Sequence, residues 1–269
     1  MVAASFRVRS GERIRLDKVD PADTSAVHDS KTVALRACDE LTRKLEHLQE
    51  LFFADHRYAM LVVLEGMDAA GKDGTIRHVF EGVNPQGVQV AHFGVPTPDE
   101  KDHDFLWRIH PHAPGKGEIV IFNRSHYEDV LVPRAARLVP KTVWKRRYRM
   151  INEFERTLVR EGTTVLKFFL HLSEDEQQRR LQERLDDPTK HWKFSVADLP
   201  ARDLWAPYQR AYEEMLRKTS TRWAPWYVVP SDKKWFRDWV VSNVLVETLE
   251  GLDLKWPALP SRWKGVVIR

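Results

Sequence analysis

The chain has 269 residues, 30% of them charged, with a formal net charge of +4 and a single cysteine. That length can bury a full core as one α/β domain, and the lone Cys38 excludes both an internal disulfide and a cysteine-built metal cluster. No apolar run approaches the length of a membrane span and the N-terminus shows no signal-peptide pattern, so the expectation is a cytosolic protein without a membrane partner.

The sequon Asn123-Arg124-Ser125 is accordingly not read as a glycosylation site. The mild cationic excess suits an anionic ligand, although a solvated surface has the same composition.

Residues up to about Ser30 are basic and Asp-containing without periodicity, which predicts an arm lying over the surface. From Lys31 to Phe53, Leu41, Leu45, Leu48 and Phe52 recur at the spacing of an amphipathic helix. The apolar run Met60–Leu64 then leads into Gly66-Met67-Asp68-Ala69-Ala70-Gly71-Lys72-Asp73-Gly74. Gly66, Gly71 and Lys72 match G-x-x-x-x-G-K, and the strand before and helix-like stretch after supply the context of a phosphate-cradling P-loop. The backbone N–H groups of Gly66, Ala69, Ala70, Gly71, Asp73 and Gly74, with Lys72, are the candidate phosphate contacts.

The residue after a P-loop lysine is normally Ser or Thr, whose hydroxyl meets Mg²⁺. Here it is Asp73, and a second carboxylate, Asp68, lies inside the loop. Carboxylates beside bound phosphates repel them unless a divalent cation lies between, which makes Asp68 a candidate metal ligand or nucleophile-positioner. Asp73 is a candidate cap for the following helix.

Four more short runs follow, Val88–His92, Glu118–Phe122, Thr164–Leu172 and Trp226–Val229, each separated by helix-length sequence. Continuous apolar strands alternating with helices predict an α/β fold with a parallel sheet covered on both faces. Ligands in such sheets bind at the carboxyl ends of the strands. With no repeats or low-complexity linkers, residues 1–269 are read as a single domain.

Arg108, ahead of the third strand, is a candidate contact for a long anion. His103, His110, His112 and His126 cluster in sequence, but only His110-x-His112 is closely spaced and it has no Cys or HExxH partner. A structural or surface role is expected for these rings. The third strand runs into Asn123-Arg124-Ser125-His126-Tyr127-Glu128-Asp129. A Walker B strand ordinarily ends in an acid; here Asn123 stands there, with the acids five and six residues on. Arg124 is placed to reach phosphates in the P-loop, or else to pair with Glu128 or Asp129 on its own turn.

Residues 173–205 stand apart. Ser173 and Glu176 form a capping-box pattern, and Arg179, Arg180, Arg184, Lys190, His191 and Lys193 follow, interleaved with Trp192 and Phe194. Arg180 and Arg184 share a helix face, Asp186-Asp187-Pro188 breaks the helix, and a second helix is expected near Ala201. The stretch reads as a cationic helical lid over phosphates; a solvated face of ordinary ion pairs is the competing reading.

The loop Gly66–Gly74, the segment Phe122–Leu131, the stretch Lys190-His191-Trp192-Lys193-Phe194-Ser195 and the strand Trp223–Pro230 together resemble the polyphosphate kinase 2 family, in order and over residues 30 to 255. The resemblance implies a thymidylate-kinase-like P-loop fold of three layers and phosphoryl transfer between inorganic polyphosphate and adenine or guanine nucleotides, with Mg²⁺ or Mn²⁺. It also implies a dimer or tetramer, and it makes Asp68, Lys72 and Arg124 the residues needed for activity. Asn123, His126, Glu128 and Asp129 depart from the commoner Asp-Arg-Ser-Trp-Tyr-Asn-Arg and are similar to the branch, class III, that phosphorylates both mono- and diphosphates. Asn123, Tyr127, Glu128 and Asp129 are therefore the candidate nucleotide contacts, and Arg180, Arg184, Lys190 and Lys193 the candidate phosphate contacts of the lid.

Two rivals remain. A conventional ATP-dependent nucleotide kinase uses the same fold, but favours Ser or Thr after the lysine. A non-catalytic nucleic-acid binder would use the basic lid, and leaves Asp68 and Asp73 without purpose; no nucleic-acid partner is expected.

Overall fold

The computed structural model describes residues 2–27, 31–196 and 198–268. Five strands, β1 (Ala59–Glu65), β2 (Val88–His92), β3 (Ile119–Asn123), β4 (Thr163–His171) and β5 (Trp226–Pro230), form one sheet in the order β2-β3-β1-β4-β5. Every pairing is parallel, and central β1 sets Val62 beside Ile121 on one side and Leu166 on the other.

The sequence of β1 explains its place. Ala-Met-Leu-Val-Val-Leu-Glu has no polar alternation, so both faces must be covered, and all seven residues are buried. Because side chains alternate across a strand, Leu61 and Val63 enter one core while Met60, Val62 and Leu64 enter the other. Ten α-helices are present among the described residues: α1 (Ala3–Phe6), α2 (Lys31–Asp55), α3 (Lys72–Val79), α4 (Pro98–Asp102), α5 (Glu128–Ala135), α6 (Lys141–Arg160), α7 (Glu174–Asp186), α8 (Asp198–Asp203), α9 (Trp205–Thr219) and α10 (Lys234–Glu250). The first core takes Trp144, Ile151 and Phe154 of α6 and Met215 of α9, and the second takes Leu45 and Phe52 of α2 and Val240 and Val244 of α10. The three layers are thus helices, sheet, helices.

The expected strands match the observed ones to within one or two residues. The expected first helix is also found, two residues longer at its C-terminal end. The N-terminal segment is pinned rather than loose: Arg7 bridges antiparallel to Tyr227, and the Val8 N–H donates to the Trp226 carbonyl at 2.8 Å. Its junction with α2, residues 28–30, lies outside the described residues.

In the 173–205 stretch, Asp187 ends α7 and caps a 3-10 turn over Pro188–Lys193, its side chain accepting from the Thr189 N–H. The second helix begins at Asp198, three residues ahead of expectation. The capping box is half formed. Ser173 Oγ accepts from the Glu176 N–H, but the Glu176 carboxylate turns to Arg179 and Arg180, and the Ser173 N–H is taken by Asp232.

Candidate active site

The P-loop leaves the carboxyl end of β1 and enters α3. Positive φ at Gly66 (152°), Ala69 (65°) and Gly71 (110°) bends the backbone around the space where phosphate oxygens would sit. A Cβ on Gly66 would lie 2.8 Å from the Leu170 carbonyl oxygen, and one on Gly71 would overlap the Arg237 guanidinium. Gly66 is therefore demanded by packing as well as by φ, and Gly71 by its φ of 110°. Lys72 folds back over the loop, its Nζ donating to the Gly66 carbonyl at 2.6 Å and the Met67 carbonyl at 3.3 Å. Burial, and then the neighbouring Arg124, lower the pKa of this ammonium.

Two buried arginines stand behind the loop. Arg180 of α7 donates to the carbonyls of Ala69 and Ala70 at 3.0 and 3.1 Å and to the Ser231 carbonyl at 2.6 Å. Arg237 of α10 lies against Gly71 and Gly74 and is held by Asp238 at 2.8 Å. Arg180's carbonyl partners tie the loop to α7, and both charges add to the positive field at the loop.

Across the mouth, the β3 end contributes Arg124, whose φ of 60° is a left-handed conformation rarely adopted by a side-chain-bearing residue. Its Nη2 meets Asp68 Oδ1 at 2.5 Å, a P-loop carboxylate rather than the Glu128 or Asp129 of its own turn that the sequence offered. Gln177 of α7 donates to the Asp68 carbonyl at 3.0 Å and so ties the same residue to the lid stretch.

Beneath this pair lie Glu65 and Glu128. Glu65 is fully buried and accepts from Ser125 Oγ at 2.7 Å, while its second oxygen has no partner. Burial, followed by the charge of Glu128, pushes its carboxyl up to about 8. Burial also raises Glu128, against the opposing pull of Arg124 and Lys72. Burial thus favours the protonated form of both carboxyls.

Several expected roles need correction. Asp73 does not cap α3: the cap position is Gly71, and Asp73 instead accepts from Asn123 Nδ2 at 2.6 Å, joining the P-loop to the end of β3. Tyr127 is not placed to touch a nucleotide, because it is fully buried with its hydroxyl donated to Glu155 at 2.7 Å. Arg108 and Asp129 face each other at 3.3 Å. Arg108 also donates to the Gly94 carbonyl, and Arg147 donates to the Asp129 carbonyl, so both are held within the protein. Arg180 donates to the loop carbonyls of Ala69 and Ala70. Lys190 is bound by Glu183 at 2.6 Å and Asp187 at 2.8 Å, Arg184 donates to the Lys193 carbonyl, and Lys193 lies over the Trp192 ring. Asp68, Lys72, Arg124, Asn123, Asp73 and Glu128 are the predicted residues that come together.

Reasoning from sequence missed three contributors. Glu65 was visible as a lone acid closing a run with no other polar residue, a pattern that marks a buried carboxyl. Arg237 carried no local signal, since only the docking of α10 puts it beside Gly71. The third is a buried network behind the Arg124 segment. Lys167 of β4 donates to Glu155 at 2.6 Å, to the Tyr127 hydroxyl at 2.9 Å and to the Thr219 carbonyl at 2.8 Å.

A parallel sheet in this order, with a glycine-bounded lysine loop after its central strand and an arginine facing it from the next, defines a P-loop phosphotransferase fold. The family described as Polyphosphate kinase 2 (PPK2) matches residues 28–256, and the chain belongs to it. It is 58% identical over 263 residues to an AMP/ADP-polyphosphate phosphotransferase of Meiothermus ruber, covering 98% of each chain. An ADP-polyphosphate phosphotransferase of Rhodopseudomonas palustris is 44% identical, across 97% of this chain and 95% of that one. The crystal structure of polyphosphate kinase 2 from Arthrobacter aurescens TC1 superposes with a TM-score of 0.92 at 43% identity, covering 96% and 92% of the two chains.

Proposed function

We propose that the protein transfers phosphoryl groups reversibly between inorganic polyphosphate and the nucleotides AMP and ADP. The observation that carries this reading is the Asp68–Arg124 pair across the mouth of a P-loop whose lysine is followed by Asp73 rather than Ser or Thr. That loop belongs to a chain aligned end to end with a relative named for this activity.

Phosphoryl transfer asks a protein chiefly for alignment and charge neutralisation. The loop N–H groups and Lys72 would hold the donor end of the polyphosphate, Lys72 exchanging the Gly66 and Met67 carbonyls for phosphate oxygens. Arg124 would neutralise the equatorial oxygens of the transferred group. Glu128, whose charge is felt by Arg124 and Lys72, would face the acceptor, whereas Asp129 fixes the segment through Arg108 and Arg147. Closure of the stretch 173–205 would exclude water and limit hydrolysis.

Among the described residues no three metal-ligating side chains converge. Mg²⁺ shared with phosphates needs only one or two carboxylates, its other positions going to waters and phosphate oxygens. Asp68, partly exposed at the mouth, fits that demand for Mg²⁺ or Mn²⁺. Bound there, the ion would neutralise phosphate charge between donor and acceptor. We place the enzyme in the cytoplasm as a homo-oligomer, dimer or tetramer, and among the described residues no helix is long and apolar enough to cross a membrane.

The test is nucleotide chromatography with purified protein, Mg²⁺ and long-chain polyphosphate, supplying AMP or ADP and no ATP. ADP and ATP are expected from AMP, and ATP from ADP. Turnover that begins only when ATP is added as donor would replace this reading with a conventional nucleotide kinase.

A further inference from the structure

A second basic surface lies away from the P-loop, where α5, α6 and α9 meet. A cavity of about 410 Å³ is lined by Arg134, Arg137, Lys141 and Lys145 around Trp144. It shares Arg134 and Arg137 with a cavity of about 420 Å³ that reaches Pro207 and Arg210 in the first turns of α9. On its other side it shares Lys145 and Glu214 with a cavity of about 340 Å³ that continues to Arg149, Arg217 and Lys218. Shared walls make these one groove. Lys141, Lys145 and Arg149 follow one another at four-residue steps, a single face of α6 running for about 12 Å.

The charge is one-sided. Eight cations and one carboxylate, Glu214, line the groove, whereas the whole chain carries a net charge of only +4. The rest of the molecule is thus net acidic, and the cationic surplus is concentrated here. Glu214 pairs with Arg134 at 2.7 Å and Arg149 leans on Glu153 at 3.5 Å. Among the described residues no carboxylate pairs with Arg137, Lys141, Lys145, Arg210 or Lys218. The floor is preorganised, with Arg134 stacked over Trp144 at 4.7 Å and bonded to the Tyr148 hydroxyl at 3.3 Å.

Position links this groove to the reaction. Helix α5 begins with Glu128 at the site and carries Arg134 six residues on, a rise of about 9 Å. Helix α9 does the same. The charges of Glu128 and Asp68 reach Tyr208 and Tyr212, while Pro207 and Arg210 line the groove.

The geometry points to this groove as a holding site for the distal phosphates of a long polyphosphate chain whose end is being transferred at the P-loop. The inference rests on the polyphosphate activity proposed above. A flexible polyanion without bases needs spaced cations and nothing else. Single-stranded nucleic acid is ordinarily held by exposed aromatic rings on which bases stack. The rings in the groove, Trp144 and Tyr148, are only 7% and 4% exposed, so the lining favours inorganic polyphosphate.

The test is the variant R137E/K141E/K145E, assayed with ADP and Mg²⁺ against donors of a few phosphates and of several hundred. The KM for the long donor is expected to rise about tenfold and to lose part of its salt dependence, as for any polyanion deprived of cation contacts. The KM values for the short donor and for ADP should not change. The milder variant R137Q/K141Q/K145Q, giving the same ranking at smaller size, separates charge from misfolding. Equal changes for both donor lengths, or none, would overturn the groove's role. A changed oligomeric mass by light scattering would overturn it in favour of a subunit interface, and loss of RNA retention with an unchanged long-donor KM in favour of nucleic acid. If the unaltered protein transfers from no polyphosphate of any length, it is the activity that fails. Filter retention of polyphosphate, weakened in the variant or not, then decides the groove by itself.

Discussion

Arg124 and Asp68 lie 56 residues apart in the chain and meet at 2.5 Å across the mouth of the P-loop. Arg124 sits at φ 60°, and Ala69, the residue after Asp68, at φ 65°. Such strain persists only where surrounding structure fixes it, and it gathers at functional sites. The pair holds the two halves of the site in register before any phosphate arrives.

Replacing either member with alanine should therefore lower kcat by about 10²–10³, the loss seen when a preorganised charge-stabilising group is removed. Because the two residues act together, Asp68→Ala/Arg124→Ala should cost much less than the product of the single effects. Steady-state kinetics with polyphosphate and ADP on all four proteins checks this. A double variant whose loss equals that product would mean the residues work independently.

Lys72 supports both the loop's shape and its chemistry. Its Nζ closes the loop through the Gly66 and Met67 carbonyls, and the same ammonium is the loop's own cation for phosphate. Lys72→Ala is expected to reduce kcat/KM by at least about 10²-fold, and Lys72→Arg should not restore it. A guanidinium is larger and planar, and Lys72 is only 9% exposed, with its compact head group held by two loop carbonyls. Recovery of near-normal turnover by the arginine variant would show that charge alone, not the compact head group, is needed.

Glu65 gives the fold a pH dependence of its own. Its carboxyl titrates at about 8 in the folded protein and near the ordinary 4.5 when unfolded. Between those values the native state keeps a proton that the unfolded chain has released, so stability falls as pH rises through that window. Glu65→Gln cannot lose the proton and should flatten the decline. Urea midpoints at pH 5, 6, 7 and 8 compare the two proteins, and parallel slopes would remove Glu65 as the source.

Much of the architecture was legible because it rests on local patterns. The run Met60–Leu64 lacks alternation and so had to be a strand covered on both faces, whereas the edge run Val88–His92 keeps only Ala91 buried, and the glycine spacing around Lys72 announced the loop between them. Side-chain partners were less legible, since charge alone does not say which way a cation turns. Arg180 reads in sequence like Arg179, yet one is buried against loop carbonyls and the other rests on Glu176 at the surface. Asp129 reads like Glu128, yet Arg108 and Arg147 claim it. Tyr127, one residue from Glu128, points the opposite way into the core because a helix turn separates neighbours by about 100°. The Lys167–Glu155 pair was invisible, hidden in a strand and a helix that each read as ordinary until packed together.

That pair supplies the last prediction. Lys167 and Glu155 have no exposed surface and meet at 2.6 Å, with Tyr127 completing the triangle. Burial alone would raise the Glu155 carboxyl, but Lys167 and His126 outweigh it and the group is lowered. Burial lowers Lys167, and Glu155 offsets only part of that. Each charge is therefore held in place by the other. Lys167→Met should destabilise the fold by about 3–5 kcal/mol, because it leaves a buried carboxylate uncompensated. Lys167→Met/Glu155→Gln, which removes both charges, should regain much of that stability. Its activity should stay low, since Tyr127 loses a bond to Lys167 and the neighbouring Arg124–Glu128 segment loses its support. Guanidinium denaturation and kcat measured on the same three proteins distinguish the two effects. A double variant as unstable as the single one would show that the lost bonds to Tyr127 and Thr219, rather than the unpaired charge, carry the cost.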